Sequence, residues 1–583
     1  MKIPDDINCC VSMNEGMNYK FSWSNAEDDV FLYEFEFTWQ EKNVVNNHAF
    51  EIRWSVPLQD ILYRWTPSCS LDRSIALDRS AYEDTMISSK APAVVFFNGK
   101  SENRYSWSAS ECKKQLSFNT GIIEENGTVE SVICLPLGQF TTQSSEHFVL
   151  RMDFRNVSIN RAVKDIAEWW SRNCNMPPAC IPKAAKKPVY SFWYSYHQRF
   201  SAEEIEEECQ YAKKLGFDVC IIDDGWQTDD YSRGYAFCGD WQPSAVKIPD
   251  MKAHVEAIHK IGMKYVLWYS VPFMGYKSKH YDEFRNMILR DDADNQAGIL
   301  DPRYKKVRDF LINIYKTAIL SWKLDGFKLD FIDVWCNSEN NKSYEPGMDI
   351  ADLQDAVDVF MTNVYSELKK INPDVLIEFR QTYIGPNMKK YGNMFRVGDC
   401  PNDILKNRTG VLDMRMFMCN AAVHSDMLMW NEAEKPELAA LQIISVLFGV
   451  IQYSQRLDKL SEKTKQMSHF WLEFAREKSD LLLNSELTVY EPQLLYTWVQ
   501  ASNENECIAA VYSIDKCIRP EEKETIYIAN GSEHDRVLAE LNGRYHVKIM
   551  DCYGNTVSEK SEIMNNINIL YVPMGGLAIL KRI

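Results

Sequence analysis

The sequence predicts a multidomain protein built on a (β/α)8 TIM barrel, preceded by an N-terminal β-sandwich and followed by a small C-terminal β-sandwich. Three observations carry that expectation. Strand-like apolar runs alternate with helical patterns through the middle of the chain, and they number eight. The first of them lacks the Gly-rich nucleotide loop that an open doubly wound sheet would show. Both flanks change to short runs of alternating apolar and polar residues, separated by Asn, Gly, Ser and Pro. The expected domains are 1–175 (sandwich plus a linking helix), 188–482 (barrel) and 486–583 (second sandwich).

In chain order, Val30-Phe-Leu-Tyr-Glu-Phe-Glu-Phe-Thr-Trp39 and His147-Phe-Val-Leu-Arg-Met-Asp-Phe154 have the period of two that puts one face of a strand in a core. Arg161 to Trp170 reads as an amphipathic helix, and Pro177-Pro178 with the basic stretch Lys183 to Lys187 as the linker. The eight barrel strands are expected at Val189–Tyr196, Val219–Asp224, Tyr265–Ser270, Gly326–Asp333, Val375–Arg380, Met394–Asp399, Ala422–Asp426 and Gly449–Ser454. Helical patterns at Tyr304 to Trp322, Ile350 to Ile371, Pro436 to Leu447 and Glu462 to Leu481 separate several of them. From Glu486 onward, Thr488-Val-Tyr490, Thr525-Ile-Tyr-Ile528 and Leu570 to Leu580 restore the all-β texture.

Composition bounds the function. The 583 residues exceed what one core holds, at about 150 residues per domain. A formal net charge of −17 repels nucleic acid and anionic membrane surfaces, which leaves a neutral or cationic small molecule as the expected partner. The start, Met1-Lys-Ile-Pro-Asp-Asp, has no basic segment leading into an apolar one, and no uninterrupted apolar run reaches about 20 residues. A soluble cytoplasmic protein is therefore expected. The 16 Cys have no zinc spacing and read as buried reduced thiols; no metal or cofactor is expected.

Chemistry concentrates at strand ends. Lys328 and Asp330 lie two apart in Gly326-Phe-Lys-Leu-Asp-Phe-Ile-Asp333 and so share one face of a buried strand. Desolvating both charges costs several kcal/mol each unless they pair or act. An ordinary ion pair and a helix-capping Asp form the bland alternative. Asp223 and Asp224 end the second strand, Arg380 the fifth, and Asp399 the sixth. That is the face where barrels of this kind carry their sites. Trp193, Trp226, Trp241 and Trp268 fall at the same end, where flat faces can stack on a sugar ring.

Asp223-Asp-Gly-Trp226, Gly239-Asp-Trp241, Ile248-Pro-Asp-Met251 with Gly262-Met-Lys-Tyr-Val-Leu-Trp268, Leu300-Asp-Pro302, Asp325-Gly-Phe-Lys-Leu-Asp330 and Gly398-Asp399 occur in one order. Over residues 188 to 480 that order resembles glycoside hydrolase family 36, the melibiase-type α-galactosidases, and the related family 27. The resemblance implies a retaining exo-glycosidase for terminal α-galactosyl groups, with Asp330 as nucleophile and Asp399 as acid/base. It makes Asp223 and Asp224 acceptors for O4 and O6, and Lys328 a donor near O3 and O4. Proximity to Asp330 is expected to keep Asp399 protonated.

The chain also departs from that pattern. Glu378-Phe-Arg-Gln-Thr-Tyr-Ile-Gly-Pro386 replaces the family's Cys-Ser-Gly-Gly segment that reads C2, Ser270-Val-Pro-Phe273 replaces a Glu-Pro-Glu, and Arg380 or Arg396 is the candidate for an arginine usual near residue 300. Asp403 is a rival acid/base residue or a helix cap. His197 is a candidate substrate contact, and His424 with Asp426 a candidate supporting pair. An α-N-acetylgalactosaminidase, a hydrolase or transglycosylase for another galacto-configured sugar on the same barrel, and a non-catalytic carbohydrate-binding protein are the alternatives, and a homo-oligomer is compatible with all of them.

Overall fold

The computed structural model describes residues 9–39, 50–78, 82–135, 145–174, 176–380, 384–418 and 420–583. The N-terminal part is two facing sheets of five and six strands. In Val30–Trp39 the residues Tyr33, Phe35, Phe37 and Trp39 are buried while Glu34 and Glu36 are not, which is the predicted alternation. Their partners in the facing sheet include Phe50 and Trp54, and the Trp54 indole meets Trp107 of their own sheet edge to face at 5.5 Å. The helix Ile159–Asn173 starts at Ser158, whose side chain accepts from the Arg161 amide. It buries Val163, Ile166, Trp169 and Trp170. The Trp170 indole donates to the Ala109 carbonyl at 2.7 Å and lies edge-on to Phe417 of a barrel helix, Ile404–Met418.

The barrel strands are β1 (Val189–Ser191), β2 (Val219–Ile222), β3 (Lys264–Ser270), β4 (Gly326–Asp330), β5 (Leu376–Arg380), β6 (Met394–Arg396), β7 (Ala422–His424) and β8 (Gln452–Tyr453). All are parallel and adjacent in chain order, with β8 beside β1 and a bridge from His424 to Val450 completing the ring. Side chains alternate inward and outward. The lower inward layer is apolar, with Val189, Val219, Ile221, Val266, Leu376, Met394, Ala422 and Val450 in one cluster. Two residues further along several of these strands the inward positions turn polar, as Asp223, Trp268, Lys328, Glu378, Arg396, His424 and Gln452. The barrel is thus a sealed apolar plug with a charged top.

Each of the eight expected runs contains a strand, but most stop short of the expected end. The run from Val189 leaves the sheet after Ser191, and Trp193–Tyr196 forms one helical turn. Aromatic residues favour strands, but here the Ser454 hydroxyl accepts from the amides of Tyr194 and Ser195 at 3.0 Å each and holds the turn. Trp193 is therefore a residue of the loop end and not of a strand. β4 ends at Asp330 because Phe331 takes a left-handed φ of 64°. A three-stranded sheet, Phe273–Gly275, Ala297–Leu300 and Ile288–Asp292, is inserted after β3. Among the described residues no helix is long and apolar enough to cross a membrane, and the described cysteines are unbridged. The C-terminal part is a seven-stranded sheet with a three-stranded one.

One carboxylate ties the three parts together. Asp413, on the helix Ile404–Met418, accepts from the indole of Trp65 at 2.9 Å, from the Arg73 guanidinium at 2.9 Å, and from the Tyr496 hydroxyl. Arg73 and Asp413 side chains are 3% and 0% exposed. Removing one member of such a pair leaves a buried charge uncompensated. Asp413→Ala is expected to destabilise the protein by about 3–5 kcal/mol, read as a lowered midpoint in thermal or denaturant unfolding.

Candidate active site

β4 turns Lys328 and Asp330 to the same inward face, as their spacing predicts. Asp330 Oδ1 accepts from the Phe331 amide and from Arg380 Nε, both at 2.8 Å, and Oδ2 from the Trp268 indole at 3.1 Å. The left-handed Phe331 is what aims its amide back at the carboxylate. Burial would raise the Asp330 carboxyl, but the charges of Arg380 and Lys328, with the Trp268 and Phe331 hydrogen bonds, outweigh it and hold the group below its ordinary value. Asp330 is an ionised carboxylate in a nearly dry place.

Lys328 Nζ donates to Asp223 Oδ2 at 2.5 Å, with both side chains 5% exposed. Asp224, next in the chain, goes elsewhere. Its Oδ2 accepts from Gln198 Nε2 at 2.6 Å and its Oδ1 from Gln227 Nε2 at 2.8 Å. Gly225 makes the turn between them with φ of 108°, and a Cβ there would sit 2.8 Å from the Gln198 side chain. Burial pushes the Asp224 carboxyl up to about 6, against the two glutamine donors. The twin aspartates therefore differ: one is paired with a cation, the other is held by neutral amides.

Arg396 is fully buried and is shared. Its Nη2 donates to Asp399 at 2.9 Å, its Nη1 to Asp426 and to the Val397 carbonyl at 2.9 Å, and its Nε lies 3.7 Å from Glu378 Oε1. Asp399 is the exposed member of this group, with 47% of its side chain open to solvent. Burial would raise its carboxyl, but Arg396, Lys328 and Arg380 together bring it to about 2. This overturns the expectation that Asp399 is protonated. The expectation counted the carboxylate of Asp330 and missed the guanidinium in direct contact, which counts for more than a carboxylate further away. Arg380 and Arg396 are directly opposite in the β5–β6 pairing, so each strand supplies one arginine to one of the two carboxylates. The same Lys328 and Arg380 charges act on Asp330 and on Asp399, and the arginines that contact the two carboxylates are register neighbours on adjacent staves, so both carboxylates lie at the same end of the barrel.

The other expected positions sort as follows. Asp403 caps a helix, its Oδ1 accepting from the Lys406 amide at 2.9 Å. His424 and Asp426 do not bond to each other: His424 Nε2 faces the Ala185 carbonyl at 2.8 Å, while Asp426 accepts from Arg396, from the Tyr194 hydroxyl at 2.9 Å and from the Cys400 amide at 2.7 Å. Trp268 is buried with its indole N–H on Asp330. Trp193 is half-buried, with the Arg233 guanidinium 5.1 Å above its ring and His197 edge-on at 4.9 Å. Residues 381–383, in the segment that replaces Cys-Ser-Gly-Gly, lie outside the described residues. Four groups escaped the sequence: Glu378, Gln198, Gln227 and Tyr235. The Tyr235 ring lies 6.2 Å from Trp268 and 5.0 Å from Phe331, and forms an aromatic wall beside Asp330. Only Glu378 had a signal, two residues before Arg380 on one strand face.

Asp224 yields a measurable consequence. A carboxyl raised from 3.8 to about 6 by folding favours the native state when protonated. That stabilisation is complete below the unfolded value and is lost as pH rises through about 6. Asp224→Asn is expected to flatten this fall, which by about 1.4 kcal/mol per pH unit amounts to at most about 3 kcal/mol, seen as a smaller drop in unfolding midpoint between pH 4 and pH 7.

Comparison with known proteins gives this site its context. The Melibiase family pattern matches residues 182–387. Alpha-galactosidase Mel36A of Lactobacillus acidophilus is 26% identical over 198 residues, 32% of this chain and 26% of that protein. The bifunctional alpha-galactosidase/sucrose kinase AgaSK of Mediterraneibacter gnavus is 26% identical over 223 residues, 35% of this chain and 22% of its own length. The matched region thus spans about a quarter of these curated relatives. Among solved structures, the alpha-galactosidase from Lactobacillus brevis superimposes with a TM-score of 0.68 at 14% identity, over 100% of this chain and 82% of that one. A GH36 alpha-galactosidase AgaA variant from Geobacillus stearothermophilus in complex with stachyose gives 0.65 at 12% identity, over 97% and 81%. At such identities the structural likeness speaks for the fold of the whole chain. The sequence match is narrower and falls on β1 to β5, the staves that carry Asp223, Lys328 and Asp330: it is residues 182–387 that match the melibiase family pattern.

Proposed function

We propose that the protein is a retaining exo-glycosidase that removes terminal α-D-galactosyl groups from oligosaccharides or glycosides. The observation that carries this reading is the pair Asp330 and Asp399 at the same end of one barrel, each in contact with an arginine from adjacent, register-matched strand ends and both under the charges of Lys328 and Arg380. Relatives of the same domain are named alpha-galactosidases.

Asp330, ionised and oriented by Trp268 and Phe331, attacks the anomeric carbon and forms a glycosyl ester. Asp399 gives a proton to the departing oxygen, then takes one from the water that cleaves the ester. The charges of Arg396, Lys328 and Arg380 favour the ionised form of Asp399, the form required for the second half of the cycle. The first half requires a proton, which reaches it from solvent through its exposed side. Asp223 and Asp224 act as acceptors for the axial O4 hydroxyl and for O6, and Lys328 donates beside them. A sugar with an equatorial O4 would leave these buried groups unpaired, which discriminates more strongly than lost apolar contact does. Trp268 and Trp193 supply aromatic surface, and Arg380 and Arg396 place positive charge around C1 and C2. The unbridged cysteines fit a reducing, cytoplasmic location.

Asp330→Ala is expected to lower hydrolysis of 4-nitrophenyl α-galactoside by several orders of magnitude while the variant keeps its unfolding midpoint within a few degrees; undiminished turnover would refute the nucleophile. Arg380→Ala removes the strongest charge that holds Asp330 down. The acid limb of kcat/KM is therefore expected to move to higher pH, measured on the same substrate from pH 3 upward. A panel of aryl α-glycosides epimeric at C4 and varied at C2 tests the sugar: the gluco epimer should be turned over at least a hundredfold more slowly than the galacto one.

A further inference from the structure

Arg396 cannot satisfy its neighbours equally. Its Nη1 serves Asp426, which is completely buried, and its Nη2 serves Asp399, which is half open to solvent. Glu378, also completely buried, stands 3.7 Å from its Nε, and no hydrogen bond reaches that nitrogen or Glu378 Oε1 among the described residues. Asp426 is fixed from every side: the Tyr194 hydroxyl at 2.9 Å, the Cys400 amide at 2.7 Å, and its own backbone clamped by both ends of the Asn407 amide at 2.9 and 3.1 Å. Nothing comparable fixes Asp399, whose only carboxylate partner among the bonds described is Arg396; Lys406 reaches its carbonyl at 3.5 Å.

We propose that Asp426 is a positioning residue for the proton donor: it competes with Asp399 for the Arg396 guanidinium, and the outcome decides whether Asp399 carries a proton. The proposal rests on the reading of Asp399 as acid/base. Arg396 holds Asp426 and Asp399 at once through different nitrogens, so the more of its charge Asp426 and Glu378 take up, the weaker its hold on Asp399 and the more readily that carboxylate binds the proton it must give and take. The proton given to the leaving oxygen in the first step is replaced by one from the hydrolytic water in the second, so once Asp399 has taken a proton from solvent each turnover balances. The groups that face this exchange are Asp399, Asp426, Glu378 and Tyr194 around Arg396, with the fields of Lys328 and Arg380 reaching Asp399 and Cys400 beside Asp426. Tyr194 tunes the competitor, because its hydroxyl withdraws electron density from Asp426.

Two variants should move the same quantity in opposite directions. Asp426→Asn removes the competing charge and leaves Arg396 to Asp399, so the alkaline limb of kcat moves to lower pH. Turnover of methyl α-galactoside, whose leaving group needs the proton, should fall at least tenfold at neutral pH, and turnover of 4-nitrophenyl α-galactoside less than threefold. Tyr194→Phe strengthens Asp426 as a competitor, so the same limb moves to higher pH. Limbs that stay in place, that move together, or losses equal for the two substrates overturn the proposal and assign Asp426 a purely structural role. A wild-type protein that hydrolyses neither substrate overturns the hydrolase reading, and the proposal with it. If Asp426→Asn does not fold, the upward shift in Tyr194→Phe, checked by the carboxyl carbon resonance of Asp399, decides alone.

Discussion

Charge pairing without water governs the top of this barrel. Asp223, Asp330, Glu378 and Asp426 are all almost completely buried, and mutual repulsion would open the ring if they stood alone. Lys328, Arg380 and Arg396 are set among them so that each has a cation within 3.7 Å, the Glu378 contact being the longest, while burial pushes Glu378 and Asp426 toward their neutral forms. The apolar plug beneath supplies the rigidity that keeps these charges in register, and the low dielectric around them makes each contact strong. The site therefore owes its geometry to electrostatic balance as much as to packing, and a single neutralised member shifts the ionisation of the rest.

That balance explains what sequence could and could not disclose. Lys328 and Asp330 were legible because alternation along one short strand fixes their common face whatever surrounds it. Asp223 followed for the same reason, from the run that precedes it. The ionisation of Asp399 was not legible. It depends on an arginine three residues earlier that reaches back past a strand end, and no periodicity reports that. Gln198 and Gln227 lie in loops, where side-chain direction has no period at all. Tyr194 was visible only as part of an aromatic run whose strand preference was overruled by Ser454, just past the end of β8 and more than 250 residues away.

The fold was legible at the level of its layers and blurred at the edges of its elements. Eight runs were expected and each contains a strand, yet the ends that matter to chemistry are the ends that leave the ladder early. Phe331 shows why: one left-handed residue converts a continuing strand into a turn whose amide returns to the Asp330 carboxylate. In this barrel, stopping a strand and orienting the Asp330 carboxylate are the same event.

The buried carboxylate of Asp413 has an implication for biosynthesis. Its donors come from positions 65, 73 and 496, so the contact that unites the three parts spans more than four hundred residues of chain. A nascent polypeptide emerges with the Arg73 charge exposed long before its counter-ion is made, and the last donor arrives only after the barrel is complete. Final locking of the molecule is thus deferred to the end of translation, and the N-terminal layer must remain soluble through that interval on its own aromatic core.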